Sequence, residues 1–304
     1  MLSEKDLRFQ MNPKRRRAIK FVLGTATLPF WLSSCLKPSP QTLAIFHTND
    51  WHSHFEPTNN GLGGIARRAT LINKLRKQFP LNILVDAGDF FQGTPYFNFY
   101  KGALEIEAMN RLGYDIVTIG NHEFDYGIDN LAQQLQKAKF TVVNTNYLIK
   151  HEALKYIVKP WVIVRRKNFR VGFVGAGIDL RGLVPEDLWK GITYLDPISV
   201  VDAMAGELKR KRCNLVVCLS HLGYKKHGDR LSDIDLARNS RHIDVIIGGH
   251  SHTVLNPPEI VFNKGGEPVV IAQAGWAGHY VGSLLFSSKK PDSVEFKSGK
   301  TDNI

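Results

Sequence analysis

The 304 residues predict an α/β fold built on a large, mixed sheet system, and three features predict it. Short apolar runs recur along the chain, segments of helical period separate several of them, and polar residues gather directly behind the runs. The first run, LAIF at 43–46, is continuously apolar and reads as a strand buried on both faces. Ile65, Ala69, Ile72, Leu75 and Phe79 come next at helical spacing, and Pro80 stops that helix. ILV at 83–85 is the next strand, and Ala103, Ile106, Met109 and Leu112 mark a second helix ended by Gly113. IVTI at 116–119 and TVV at 141–143 read as strands. The stretch 156–175 alternates about a polar turn, as a β-hairpin does, and carries VGFV at 171–174. Val200, Ala203, Ala205 and Leu208 mark a third helix before LVVCL at 215–219, VII at 245–247 and PVVIA at 268–272. No repeat or long linker interrupts residues 42–304, which read as one catalytic-sized domain.

Composition excludes a fibre or a disordered tail, with 43% hydrophobic and 22% charged residues. The net charge of +12 invites a nucleic-acid partner, but five of those charges fall in residues 1–34 and the aromatics are not interleaved with a basic patch, so no nucleic acid is expected. Lys209, Arg210, Lys211 and Arg212 read as the solvated end of a helix, with contact to anionic lipid as the alternative. Basic residues from Lys14 to Lys20 precede the apolar stretch Phe21–Leu32, which is shorter than the roughly 20 residues that span a bilayer. Consecutive arginines there resemble a twin-arginine export signal, and Leu32-Ser33-Ser34-Cys35 resembles a lipobox. The expectation is an export signal at 1–34, lipidation and membrane anchoring at Cys35, a Pro-rich tether at 35–41, and a location in the bacterial periplasm or cell envelope. Met11 is an alternative start that still leaves a normal signal length. Cys213 and Cys218, if both lie on one strand, stand about 16 Å apart on opposite faces and cannot pair.

The polar residues behind the apolar runs carry the chemistry. LAIF leads into His47-Thr48-Asn49-Asp50-Trp51-His52-Ser53-His54, ILV into Asp86-Ala87-Gly88-Asp89, IVTI into Gly120-Asn121-His122-Glu123-Phe124-Asp125, LVVCL into Ser220-His221, and VII into Gly248-Gly249-His250-Ser251-His252. Strand ends in open α/β sheets are where ligand-binding groups collect, so these turns are expected to converge. Asp50-x-His52 and His250-x-His252 each place two donors on one side of an extended segment. The set of histidines, carboxylates and one carboxamide exceeds the four ligands of a single tetrahedral zinc and fits two divalent ions sharing a carboxylate. The donor types suit zinc, manganese, iron or cobalt. With Asp50 and Asp89 ionised and one hydroxide, such a core retains a net positive charge that favours a phosphate dianion.

The strings FHTNDWHS, DAGDFFQGTP, GNHEFDYG, SHLG, GGHSH and QAGWAG, in that order over roughly residues 43–286, resemble the calcineurin-like metallophosphoesterases, in particular their 5'-nucleotidase branch. The resemblance implies a four-layer α-β-β-α sandwich of two mixed sheets. It implies one ion held by Asp50, His52, Asp89 and His252, and a second held by Asp89, Asn121, His221 and His250, with Asp89 as the bridge. It also implies that Asn121 and His122 touch substrate, that His122 is the catalytic histidine and that Asp125 orients it. On that resemblance two ions would supply an activated water for in-line attack at phosphorus, and His122 would meet the charge that grows on the oxygens. His47, His54 and His279 are left as supporting or surface residues, and Gln92 and Gln273 are unassigned. Exported 5'-nucleotidases carry a second, base-stacking domain that is not expected within these 304 residues, and His252 stands where some relatives have glutamine. The leading expectation is hydrolysis of nucleotide phosphate esters. A phosphodiesterase, a sulfur-ester hydrolase, and a noncatalytic metal-stabilised subunit partnering a separately encoded nucleotide-binding chain are the alternatives.

Overall fold

Side chains alternate across a strand, so a strand buried on both faces must feed two cores at once. Along the first strand Leu43 and Ile45 enter one apolar core while Ala44 and Phe46 enter another. In the computed structural model of the chain, which describes residues 42–226, 228–290 and 293–304, this division repeats along every central strand. The expected export signal, tether and Cys35 lie outside the described residues.

The strands are β1 (Thr42–Thr48), β2 (Asn82–Asp86), β3 (Ile116–Val117), β4 (Thr141–Val143), β5 (Tyr147–Ile149), β6 (Val158–Lys159), β7 (Trp161–Arg166), β8 (Phe169–Ala176), β9 (Ile192–Tyr194), β10 (Leu215–Ser220), β11 (Val245–Gly248), β12 (Glu259–Phe262), β13 (Pro268–Ala272), β14 (Tyr280–Lys290) and β15 (Ser293–Asn303). One sheet runs β15-β14-β1-β2-β3-β4-β6 and the other β12-β13-β11-β10-β8-β7, with β5 and β9 forming a small ribbon. In the first, β1, β2, β3, β4 and β6 are parallel and β14 adds antiparallel to β1. In the second, β8, β10, β11 and β13 are parallel between antiparallel β7 and β12. Both sheets are therefore mixed, and parallel centres account for the continuous apolar runs.

The helices are α1 (Ile65–Gln78), α2 (Pro95–Tyr100), α3 (Ala103–Leu112), α4 (Gly127–Leu135), α5 (Leu154–Ile157), α6 (Pro197–Arg210) and α7 (Asp233–Asn239). Leu43, Ile45, Ile83 and Val85 meet Val171, Phe173, Val217 and Ile247 in the core between the sheets. Outside the first sheet, Phe46 and Leu84 pack against Ile72 and Leu75 of α1, Ile106 and Met109 of α3 and Leu131 of α4. Outside the second, Val216, Cys218 and Ile246 pack against Val201, Ala205 and Leu208 of α6 and Leu236 of α7. Helix, sheet, sheet, helix is the expected four-layer sandwich. Each fully buried aliphatic side chain contributes roughly 1.5–3 kcal/mol of apolar transfer.

Several local expectations need correction. The hairpin comprises only β7 and β8, because Leu154–Ile157 is a helical turn and Val158–Lys159 pairs with β4 in the other sheet. IVTI keeps strand geometry over two residues before the chain bends. Within the third helix Val201, not Val200, is buried, and Ala203 is exposed. Cys213 precedes β10, so it faces the same helix-side core as Cys218 rather than the opposite face; both are buried free thiols. The basic run at the end of α6 is a helix terminus with ion pairs: Lys209 to Asp244, and Arg210 and Lys211 to Glu207. No helix of the described residues is long and apolar enough to cross a membrane.

Candidate metal centre

Five strand ends deliver their polar residues to one place. Asp50 and His52 lie just after β1, Asp89 after β2, Asn121 and His122 after β3, and His221, His250 and His252 after β10 and β11, so both sheets contribute. Asp50, His52 and His252 form one group with ligand atoms within 4.8 Å of one another; His52, Asp89 and His122 form a second; Asp89, His221 and His250 form a third. Asn121 joins through its Oδ1, 3.0 Å from His250 Nδ1. All seven predicted donors, together with His122 and Asp125, are therefore brought together.

The means of convergence differs from the expected one. Neither D-x-H nor H-x-H is extended: φ is +49° at Asp50, +51° at His52, +69° at His250 and +54° at His252, and +57° at Asp89. Left-handed backbone at a non-glycine residue costs on the order of 1 kcal/mol and persists where its surroundings hold it. Here they do. Asp50 and His52 N–H groups donate to Gly88 and Asp89 carbonyls at 2.9 and 3.0 Å, and Ala277 N–H donates to Asp50 O at 2.7 Å. The His250 N–H donates to both Asp50 carboxylate oxygens at 2.9 and 3.0 Å, and the His122 N–H to Asp89 Oδ1 at 2.9 Å.

The chemistry of the donors fits cations. His221 is fully buried; its Nδ1–H donates to Ala87 O at 2.7 Å, which turns Nε2 toward Asp89 Oδ2 at 2.9 Å and Asp50 Oδ1 at 4.0 Å. That Nε2 makes no hydrogen bond of good geometry. His52 Nε2 and His252 Nε2 face each other at 3.1 Å, with Asp50 Oδ1 3.4 Å from the latter. Ring nitrogens crowded against one another and against carboxylates are satisfied by a shared positive charge. Burial pushes the pKa of His52 down, and burial with the charge of His221 takes His250 down to about 4, leaving neutral imidazoles suited to ligation. Burial opposes ionisation of Asp89, yet the positive charge of His221, with that of His122, outweighs it and holds its carboxyl below the usual range.

The His122–Asp125 pair sits at the rim, with Nδ1 2.8 Å from Asp125 Oδ2 and both side chains partly exposed. Burial works against a charged His122, but the Asp125 hydrogen bond and the negative charge of Asp89, Asp125 and Glu123 lift it to about 9 in the chain alone.

Three supporting residues had no role assigned from the sequence. Glu123, fully buried, accepts from the N–H groups of Asp89 (2.8 Å), Phe91 (3.0 Å) and Gly120 (2.6 Å), tying two ligand-bearing loops together. Asn49 donates to Asp50 Oδ2 and Gly275 O, each at 2.6 Å. Gln273 donates to Gly249 O at 2.7 Å and accepts from Ser251 Oγ at 2.9 Å and from the Thr253 N–H, shaping the His250–His252 turn. An acid between His122 and a buried Phe124 was the available signal for Glu123. His47 is buried beside Gly282 of β14, while His54 and His279 flank Trp276. Gln92 adopts φ +65° in its turn.

The family described as Calcineurin-like phosphoesterase matches residues 43–254, most of the chain. The chain belongs to that family. Its members are metal-dependent phosphoesterases, and the groups of histidines and carboxylates could hold such metal ions. The chain is 33% identical over 288 residues to human 5'-nucleotidase, covering 85% of this chain and 49% of that protein. It is 31% identical over 274 residues to the trifunctional nucleotide phosphoesterase protein of Bacillus subtilis, covering 80% of this chain and 18% of that one. The solved structure of a 5'-nucleotidase precursor from Thermus thermophilus superposes with a TM-score of 0.78 at 35% identity, over 86% of this chain and 54% of that one. The chain thus spans about half the length of the 5'-nucleotidases it matches.

Proposed function

We propose that this phosphoesterase hydrolyses nucleotide phosphate esters, in the manner of a 5'-nucleotidase, with two divalent ions bridged by Asp89. The observation that supports the reading is that Asp89 belongs to two of the candidate ligand groups, with His52 and His122 in one and with His221 and His250 in the other, while His52 is shared with Asp50 and His252. Asp50, His52 and His252 complete one site with Asp89; Asn121, His221 and His250 complete the other. When bound, the ions supply a water of lowered pKa and positive charge for the phosphoryl oxygens. Asn121 is buried beside the cluster and His122 is partly exposed; in this reading the Asn121 amide would bind a phosphoryl oxygen and the His122 N–H would meet charge developing toward the leaving oxygen. Asp125 holds the His122 ring by its other nitrogen and favours the protonated form. Glu123 and Gln273 keep the loops in register.

The nucleotide as substrate rests on the names of the relatives, and the export and lipid-anchor reading rests on residues 14–35 alone. A substrate panel on metal-reconstituted protein tests the nucleotide reading: a nucleoside monophosphate, a cyclic nucleotide, a sugar nucleotide and an aryl phosphate. Preferred turnover of the nucleoside monophosphate supports it; preferred cleavage of the cyclic nucleotide makes the protein a phosphodiesterase instead. The intact mass of the mature N-terminus tests lipidation at Cys35.

A further inference from the structure

We propose that a cavity opening beside His250 is an anion subsite for a second phosphate group, so that the preferred substrates carry one phosphate at the metal centre and another in this cavity. The inference deepens the proposed function and rests on it. The cavity has a volume of about 520 Å³, and His250, Ser251, Lys225, Lys226 and Arg230 are among the residues that border it. Three cationic side chains and no carboxylate border it. His250 also belongs to the metal cluster, so a ligand in the cavity is one imidazole away from the reacting phosphate.

The walls are fixed before any ligand arrives. The Tyr224 N–H donates to Ser251 Oγ at 2.9 Å, joining two loops that border the cavity, and the Asp233 N–H at the start of α7 donates to Gly223 O at 2.8 Å. Arg230 is anchored by its Nη2 donating to Arg181 O at 2.6 Å, while its buried Nε makes no hydrogen bond. Neither Lys225 nor Lys226 has a carboxylate partner among the described residues; the Lys225 ammonium lies 5.0 Å from the Tyr224 ring centroid. Past Ile178, Leu222 and Arg230 the cavity continues into a second of about 680 Å³, where Arg181 pairs with Asp179 at 2.5 Å and cationic charge is already balanced. Arg230 borders both cavities and feels the charge of Asp179, so the cations near His250 without a carboxylate partner among the described residues are Lys225 and Lys226. A phosphate there gains charge-assisted hydrogen bonds from lysine and arginine donors.

For a nucleoside diphosphate, water adds to the terminal phosphorus, the bond to the bridging oxygen breaks, and that oxygen leaves on the inner phosphate, the group held by the lysines. The test compares kcat/KM for adenosine 5'-diphosphate and adenosine 5'-monophosphate in the metal-reconstituted full chain, at low salt. The Lys225→Gln/Lys226→Gln double variant is expected to lower the diphosphate-to-monophosphate ratio about tenfold, chiefly through KM, while Lys225→Arg/Lys226→Arg preserves it. A ratio unmoved by the Gln pair, or lowered equally by the Arg pair, would overturn the subsite and leave the nucleotidase reading standing. A wild-type protein that cleaves aryl phosphate but neither nucleotide would overturn both.

Discussion

Asp89 is asked to do two things at once: to stay ionised in a buried position and to accept the His122 N–H while its other oxygen faces His221. Asp89→Asn is therefore expected to lose both ions, read as metal content after dialysis, since an amide supplies no bridging charge. His122→Ala should retain the metals and lose turnover by about 10²-fold or more, because it removes a proton donor and not a ligand; near wild-type kcat would remove that role. At Glu123 the stake is stability. Glu123→Ala leaves three buried N–H groups without their acceptor, and at roughly 1–3 kcal/mol for each unsatisfied group the loss should reach about 3 kcal/mol by denaturant titration. A change within about 0.5 kcal/mol, the range of ordinary surface substitutions, would deny its bracing role. The gathering of these donors was legible in the sequence because carboxylates and imidazoles directly behind apolar runs are costly unless used. Glu123 was not, since an acid looks the same in sequence whether it binds a metal, solvent or three backbone amides.

The strands that form the sheet centres were legible as continuous apolar runs, and the helix faces of α1 and α3 as spacing. Edge strands were harder: β12 pairs on one side only, its run EIVF is largely solvent-facing, and β5 and β9 are three residues each. The donor-bearing turns were anticipated as neighbours by spacing, but their left-handed bends could not be, because tertiary hydrogen bonds hold them against local preference. Gly249 tests how tightly one such turn is packed. A Cβ there would lie 2.9 Å from His221 Nδ1 and 3.0 Å from both Asp50 Oδ2 and Ala87 O, so Gly249→Ala should displace two ligands at once. The expected result is metal affinity lowered roughly 10- to 100-fold with the fold retained, by titration against a competing chelator. Unchanged affinity would mean that these loops yield more than their hydrogen bonds imply.

At the scale of the whole molecule, the candidate ligands come from both sheets, so bound ions would cross-link the two halves of the sandwich. Ligands that bind only the folded chain stabilise it by mass action. Free metal at 100 to 1,000 times Kd should add about 3–4 kcal/mol, and chelation should lower Tm accordingly. A Tm indifferent to chelator would argue that the loops close without cations. The layered fold itself was legible from the order of runs and helical segments, whereas the pairing of strands across two sheets was not, because register lives in contacts distant along the chain. The most direct test of the account is the number and position of ions in the folded protein, by elemental analysis together with anomalous scattering from crystals. Two divalent ions per chain on either side of the Asp89 carboxylate are predicted. A single ion, or none, with Asp89 bonded only to protein groups, would contradict it.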